Sequence, residues 1–261
     1  DITFFHDCAF EVALKLKEIE KYAAHLGLSR SSKKTISHHN WLLNLASASG
    51  FITVSSNYIS KQHKAVLNVA PIEPAYQPGH AHADTLSFEL SLFGRRVFVN
   101  SGTSNYEQGS LRKFQRSTSA HNTLSVDNAN SSEVWSSFRV AKRAKILLTN
   151  ISYESNCLIA DSSHDGFSRF NRQIIHHRRW CFYENIVHIQ DRLEGPFKLA
   201  TLYFYLHPDV EITEFKDKII LHIGEDHRVT FQIPTEGKLS TNMSCWYPKF
   251  GKSIPNLCLK M

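Results

Sequence analysis

Two hydrophobic periods divide the chain. Over residues 11–27, "EVALKLKEIEKYAAHLG", the apolar positions Leu14, Ile19, Tyr22, Ala23 and Leu26 recur at helical spacing. Gly27 stands where a helix C-terminus favours glycine, so the spacing predicts one helix. "SRSSKKTISHHN", residues 29–40, is polar and aperiodic and reads as a linker. From Ser49 onward the period shortens to that of strands. "FITVSSNYI", "AVLNVA", "LSFELSLF", "RVFVNS", "NTLSVD", "AKILLTNISY", "RQIIHHRRWCFY", "IVHIQDRL", "KLATLYFYL", "KIILHI" and "RVTFQI" follow one another, punctuated by Gly, Asn, Asp and Pro. This succession predicts a mainly β fold, a large antiparallel β-sandwich with a short N-terminal helical segment. No fixed repeat is evident, which argues against a propeller.

One run is legible residue by residue. Leu86, Phe88, Leu90 and Leu92 alternate with Thr85, Ser87, Glu89 and Ser91, the pattern of a half-buried strand. "FGRR" then turns the chain back through Val97 and Val99 to Asn100.

Composition bounds the picture without deciding it. A chain of 261 residues that is 42% apolar can bury one large core, and no apolar run is long enough to span a bilayer. The net charge of +6 favours an acidic partner: nucleic acid, an anionic polysaccharide or a membrane surface. Cys8, Cys157, Cys181, Cys245 and Cys258 are widely spaced without a CxxC pair, so neither a disulfide framework nor a thiolate zinc knuckle is expected. No signal peptide is visible, and the opening "DITFFHDCAF" reads as the cut edge of a longer protein.

Candidate chemistry begins at "QPGHAHAD", residues 77–84. His80, His82 and Asp84 share parity with the apolar face of the following strand, and burying them together is costly unless they bind a metal or one another. Two imidazoles at this spacing suit a metal clip or an acid/base pair, and 15 histidines also make chance proximity a live reading. A long polar excursion follows at residues 100–123, carrying Tyr106, Arg112, Arg116 and His121. Guanidinium forks match carboxylates, which makes Arg112 and Arg116 candidate substrate-binding residues. The blander readings are structural or polyanion-facing roles for His176 and His177, solvation for His38 and His39, core packing for Tyr203 and Tyr205, and turn capping for Asp127, Asp161 and Asp191.

Taken in order, GHAHAD, a strand, NSGT with a following Tyr, QRST and AHNT resemble the C-terminal β-sandwich domain of heparinase II/III-like polysaccharide lyases. "SHDGF" at 163–167, "HHRRW" at 176–180, "IQDRLEG" at 189–195 and "LHPDV" at 206–210 look like further pieces of that domain in the same order. "FFHDCAF" and the helix after it are similar to the end of the helical toroid that precedes it. The resemblance implies residues 1–48 as the end of a toroid domain plus linker, and 49–261 as the sandwich. It implies His80 as an active-site histidine facing a substrate uronate and Tyr106 as an auxiliary tyrosine. It implies a structural zinc held by His82, Asn100 and His121, with Asn100 standing where zinc-bearing members have Asp. The implied partners are an acidic polysaccharide and the toroid domain of the same chain, with no nucleic acid and no membrane span, in the bacterial periplasm or outside the cell.

The residue types suit β-elimination, in which a base removes the C5 proton of a uronate and an acid protonates the leaving oxygen; a histidine titrating near neutrality can serve either step. The fragment alone is expected to be inactive, since the family's other catalytic groups lie in the toroid. The contrasting reading is a non-catalytic carbohydrate-binding or structural module with vestigial histidines. Geometry adds one requirement. A straight strand would set His82 seven residues, roughly 23 Å, beyond the level of Glu89 and Asn100, so the metal set closes only if the chain folds back at Ala83 and Asp84.

Overall fold

A computed structural model describes residues 3–28, 35–38, 40–46, 49–56, 62–72, 75–170, 173–234 and 237–261. Residues 29–34, His39 and the end of the run expected at 51–59 lie outside the described residues. The predicted helix forms as α1 (Leu16–His25), with the Glu18 carboxylate accepting the Lys15 N–H at 2.7 Å. It ends at Gly27, whose φ of +71° lets Leu28 N–H return to the Ala23 carbonyl at 2.9 Å. Nothing on α1 is buried, and Leu16, Ile19, Tyr22 and Leu26 stand open to solvent.

A six-stranded antiparallel sheet follows: β1 (Thr35–His38), β2 (Trp41–Ala46), β3 (Phe51–Ser56), β4 (Lys64–Asn68), β5 (Phe88–Leu92) and β6 (Arg95–Phe98), paired in sequence order. The sheet thus begins inside the stretch read as a linker, where Ile36 and Leu43 supply the alternation. After a short helix α2 (Ser110–Gln115) come β7 (Leu124–Val126) and a two-residue ribbon, β8 (Val134–Trp135) and β9 (Arg139–Val140). A four-stranded sheet follows in sequence order: β10 (Ile146–Glu154), β11 (Cys157–His164), β12 (Ile175–Phe182) and β13 (Val187–Glu194). Strand β14 (Ala200–Tyr205) returns to pair with β7. The three-stranded β15 (Val210–Glu214), β16 (Lys218–Ile223) and β17 (His227–Gln232) precede β18 (Ser240–Trp246) and β19 (Ile254–Lys260), and β19 pairs with both β18 and β14. One core joins the layers: Leu43, Ile52, Phe88, Val97, Trp180, Phe204, Leu221 and Leu259 belong to a single buried cluster. Among the described residues no helix is long and apolar enough to cross a membrane.

The run at 85–92 departs from the expected half-buried strand. Strand β5 starts only at Phe88, and Thr85, Ser87 and Glu89 are as buried as Leu86, Phe88 and Leu90. Their face is covered from both sides. Phe4 N–H reaches the Glu89 carboxylate at 2.9 Å, and the Thr123 hydroxyl donates to the Thr85 carbonyl at 3.1 Å. The chain reverses in a turn closed by Ser87 N–H on the Asp84 carbonyl at 2.9 Å, with Leu86 at φ +60°. The required fold-back therefore occurs at Thr85 and Leu86, two residues later than Ala83 and Asp84.

Candidate active site

The site is organised by a residue that local pattern did not single out. Asp7 lies on the N-terminal strap, residues 4–10, which is locked down by Phe4 packing on Phe10 and Trp246 and by Phe10 N–H on the Pro248 carbonyl at 2.7 Å. The Asp7 carboxylate is 1% exposed. Its Oδ1 meets His82 Nε2 at 2.8 Å and the Thr103 hydroxyl at 3.2 Å, and also accepts from Arg112 Nη1. Its Oδ2 accepts from Arg112 Nη2 at 2.6 Å and from His80 Nδ1 at 3.0 Å. Burial alone would raise this carboxyl's pKa. The hydrogen bonds and charge of His82 and Arg112 outweigh it and hold the group well below the usual carboxylate range.

A carboxylate only accepts, so in a neutral His80 ring the Asp7 contact selects the Nδ1–H tautomer, with the lone pair on Nε2. The His80 side chain is 64% exposed, so the ring lies at the surface although Nδ1 is held by the buried carboxylate. Tyr106 lies beside it, ring centroids 5.7 Å apart. Burial, and then the nearby Asp7 charge, raise the Tyr106 pKa, so its phenol stays protonated at neutral pH.

His82 and His121 are fully buried and meet through Nδ1 and Nε2 at 3.1 Å. Each outer nitrogen already carries a proton: His82 Nε2 faces the Asp7 carboxylate, and His121 Nδ1 donates to the Ser117 carbonyl at 2.7 Å. When both rings are neutral, two lone pairs therefore point at one another. Burial favours neutrality, pushing His82 down to about 4 and His121 down to about 3. Such a pair needs a proton or a cation between its nitrogens. Tetrahedral zinc with bonds of about 2.0–2.1 Å holds two nitrogens about 3.3 Å apart, so this pair fits the ion. Asp7 and the Ser117 carbonyl supply the outer acceptors that metal-binding histidines need. The expected third ligand fits less well. Asn100 Oδ1 already accepts Asn122 N–H at 2.9 Å, and its buried Nδ2 has no hydrogen-bond partner among the described residues and no lone pair to offer. Among the described residues no three His, Cys, Asp or Glu side chains form a metal-binding group. Asp84 turns instead to His6, whose Nδ1 lies 3.3 Å from Oδ2.

A second histidine pair shows the contrast. Gly166 N–H donates to His164 Nδ1 at 2.9 Å, His164 Nε2 meets His176 Nδ1 at 3.1 Å, and His176 Nε2 meets Asp191 at 2.5 Å. Every donor there has an acceptor with both rings neutral. Arg178 grips the same Asp191 through Nε at 2.7 Å and Nη2 at 2.9 Å, and its Nη1 donates to the Leu86 and Asn122 carbonyls. Asp191 is thus a buried structural anion rather than a turn cap. Asp127 does cap a turn, accepting Lys198 and Leu199 N–H, and Asp161 pairs with Arg179. His177 faces outward to Glu194, His38 stacks on Tyr153, and Tyr203 and Tyr205 pack in the core.

The two arginines expected to meet substrate are placed otherwise. Arg112 and Arg116 are each 1% exposed. Arg112 binds Asp7 and the Ser137 carbonyl; Arg116 binds the carbonyls of Ala81, Trp135 and Ser136. Four residues apart at α2, both turn the same way, into the protein, and their donors are engaged internally.

A β-sandwich with a polar loop site built on GHAHAD, NSGT and AHNT defines a class. The profile of the family "Heparinase II/III-like, C-terminal" matches residues 38–257, and the chain belongs to that family. Solved structures share the fold. The heparinase III BT4657 gene product superposes with a TM-score of 0.71 at 17% identity, over 99% of this chain and 40% of that one. Heparan sulfate lyase HepC from Pedobacter heparinus gives 0.69 at 16%, over 99% and 40%, and a further heparinase III gives 0.69 at 15%, over 99% and 42%. The chain therefore spans about two fifths of the length of these proteins. No curated protein sequence matches it significantly.

Proposed function

We propose that this chain is the β-sandwich part of a polysaccharide lyase that cleaves an acidic, uronate-containing glycan by β-elimination. The observation that carries the reading is the exposed His80, held by a buried carboxylate in the tautomer that offers Nε2 to a ligand. In the reaction a base takes the C5 proton, the C4–O bond breaks as the C4=C5 bond forms, and an acid protonates the departing oxygen. His80 is suited to the proton transfer, and the protonated Tyr106 phenol to donation. Asp7 stabilises an imidazolium at His80 without becoming protonated itself. The family resemblance supports a helical toroid domain preceding this chain as the partner that completes the cleft. It also supports a periplasmic or extracellular setting, where acidic polysaccharides are met.

A zinc ion is a further part of the proposal. When bound by His82 and His121 it would serve as a structural crosslink between the loop carrying His80 and the segment ending at Asn122.

The test uses the full-length protein and the ultraviolet absorbance of the unsaturated product. His80→Ala is expected to lower turnover at least about a hundredfold, while His38→Ala leaves it unchanged. Unaltered turnover in His80→Ala would sink the assignment and favour the binding-module reading. The chain expressed alone is expected to fold without turning over.

A further inference from the structure

The ribbon β8–β9 closes through Ser136, Ser137 and Phe138, and this loop is fastened from below by the two buried arginines. Arg112 donates to the Ser137 carbonyl from Nε at 3.0 Å and Nη2 at 2.9 Å, and Arg116 Nη1 donates to Ser136 at 3.1 Å. The same guanidiniums hold Asp7 and the Ala81 carbonyl, so the loop is rigidly tied to the base of the His80 loop. What the tie presents is aromatic. Phe138 is 42% exposed, and its ring meets His80 at 5.8 Å and Tyr106 at 5.1 Å. Phe250, 36% exposed, meets Tyr106 edge-on at 4.8 Å. Phe138, Tyr106 and Phe250 thus make a continuous row of ring contacts beside His80. Arg112 sits against Tyr106 and Phe138 at 5.0 and 5.5 Å, but its donors are engaged by Asp7 and Ser137, so the row offers ring surface rather than a free cationic fork.

Exposed aromatic rings on a rigid loop contiguous with a polar site suit a ligand that has one apolar face and polar edges. A pyranose ring, with its axial C–H face, is such a ligand. We infer that Phe138, Tyr106 and Phe250 form a stacking subsite for the sugar ring adjacent to the uronate at His80. The inference rests on the proposed reading of His80 for its position along the glycan, and it assigns ring stacking rather than charge pairing to this part of the cleft.

Binding separates the two ideas. Binding is read by isothermal titration calorimetry, which needs no reporter residue. Full-length protein carrying His80→Ala is titrated with size-defined oligosaccharides of heparan sulfate, hyaluronan and alginate, which removes turnover as a confounder. At least one probe is expected to bind with a measurable heat. Phe138→Ala and Phe250→Ala added to that background should each weaken binding at least about tenfold, with Phe138→Trp restoring it. In the otherwise unmutated enzyme, Phe138→Ala should raise KM by a similar factor with kcat nearly unchanged. Phe197→Ala, an exposed phenylalanine elsewhere on the surface, should change neither. Unchanged affinity in Phe138→Ala, an equal loss in Phe197→Ala, or binding of none of the probes would overturn the subsite. Loss of turnover in His80→Ala alongside an unchanged KM in Phe138→Ala would leave the lyase reading standing and remove only the platform.

Discussion

His82 Nδ1 lies 3.1 Å from His121 Nε2, and neither nitrogen carries a proton for the other while both rings are neutral. A cation resolves the conflict. Chelator-treated protein is expected to take up one zinc ion per chain, lost in His121→Ala and tightened in Asn100→Asp, which exchanges a neutral amide for a carboxylate. At a hundredfold excess over Kd the ion should add about 2.7 kcal/mol of stability. Metal analysis and urea unfolding with and without zinc check both statements.

Asp7 is the shared anion of His80, His82 and Arg112. Asp7→Asn leaves the Arg112 guanidinium buried without a counter-charge, so a loss of about 3–5 kcal/mol is expected by urea unfolding. His80→Ala, which removes an exposed ring, should cost less than about 1 kcal/mol. In the full-length enzyme both should reduce turnover, and only Asp7→Asn should reduce stability with it.

Two buried systems give opposite pH dependences. Burial, followed by neighbouring positive groups, holds His164 below its ordinary value, and burial holds His176 below its own against the opposing hydrogen bond and charge of Asp191. Below about pH 6.5 the unfolded chain therefore binds protons that the folded chain refuses. That contribution is full above pH 6.5 and falls as pH drops, by up to about 1.4 kcal/mol per unit per histidine. Burial pushes Glu89 up to about 7 from 4.5, against Arg96 and the backbone donors Asn100 and Phe4. Here the folded chain keeps a proton that the unfolded chain releases, so this contribution is full below pH 4.5 and is lost as pH rises to 7. Glu89→Gln removes the opposing slope. Between pH 6.5 and 5 the variant should lose stability more steeply on acidification than the wild type, measured by urea midpoints across that range.

Gly102, in the NSGT segment, has φ +81°, and a Cβ there would stand 2.2 Å from the Tyr247 carbonyl oxygen. Gly102→Ala is expected to cost about 2–4 kcal/mol, because both the backbone conformation and the contact with Tyr247 resist a side chain. Gly109→Ala, where a Cβ meets nothing within 4 Å, should change stability by less than about 0.5 kcal/mol, and urea unfolding of the two variants checks both values.

Where alternation was clean, the strands were legible: the runs around Ile52, Val66, Ile220 and Val229 all lie in sheets. Strands without that signal escaped notice. "CLIADSSH" of β11 buries its serines as well as its aliphatics, "STNMSCW" of β18 has no β-branched aliphatic, and β19 carries Pro255. The histidine pair His82 and His121 could be named through the family motif, and the need for a chain reversal was deducible from strand rise. Asp7 was not, because one carboxylate 73 residues before His80 has no periodicity to announce it. Its "FFHD" surroundings were the available signal. Arg112 and Arg116 misled because a polar stretch implies solvent only when no second layer covers it. Here the strap at residues 4–10 and the β8–β9 ribbon do.

The strap has a practical meaning for anyone cutting this protein. An excision starting at β1 would keep GHAHAD, NSGT, AHNT and every strand of the sandwich, yet discard the carboxylate toward which His80, His82 and Arg112 converge. Such a piece would look complete by its motifs and leave a buried guanidinium facing an empty place.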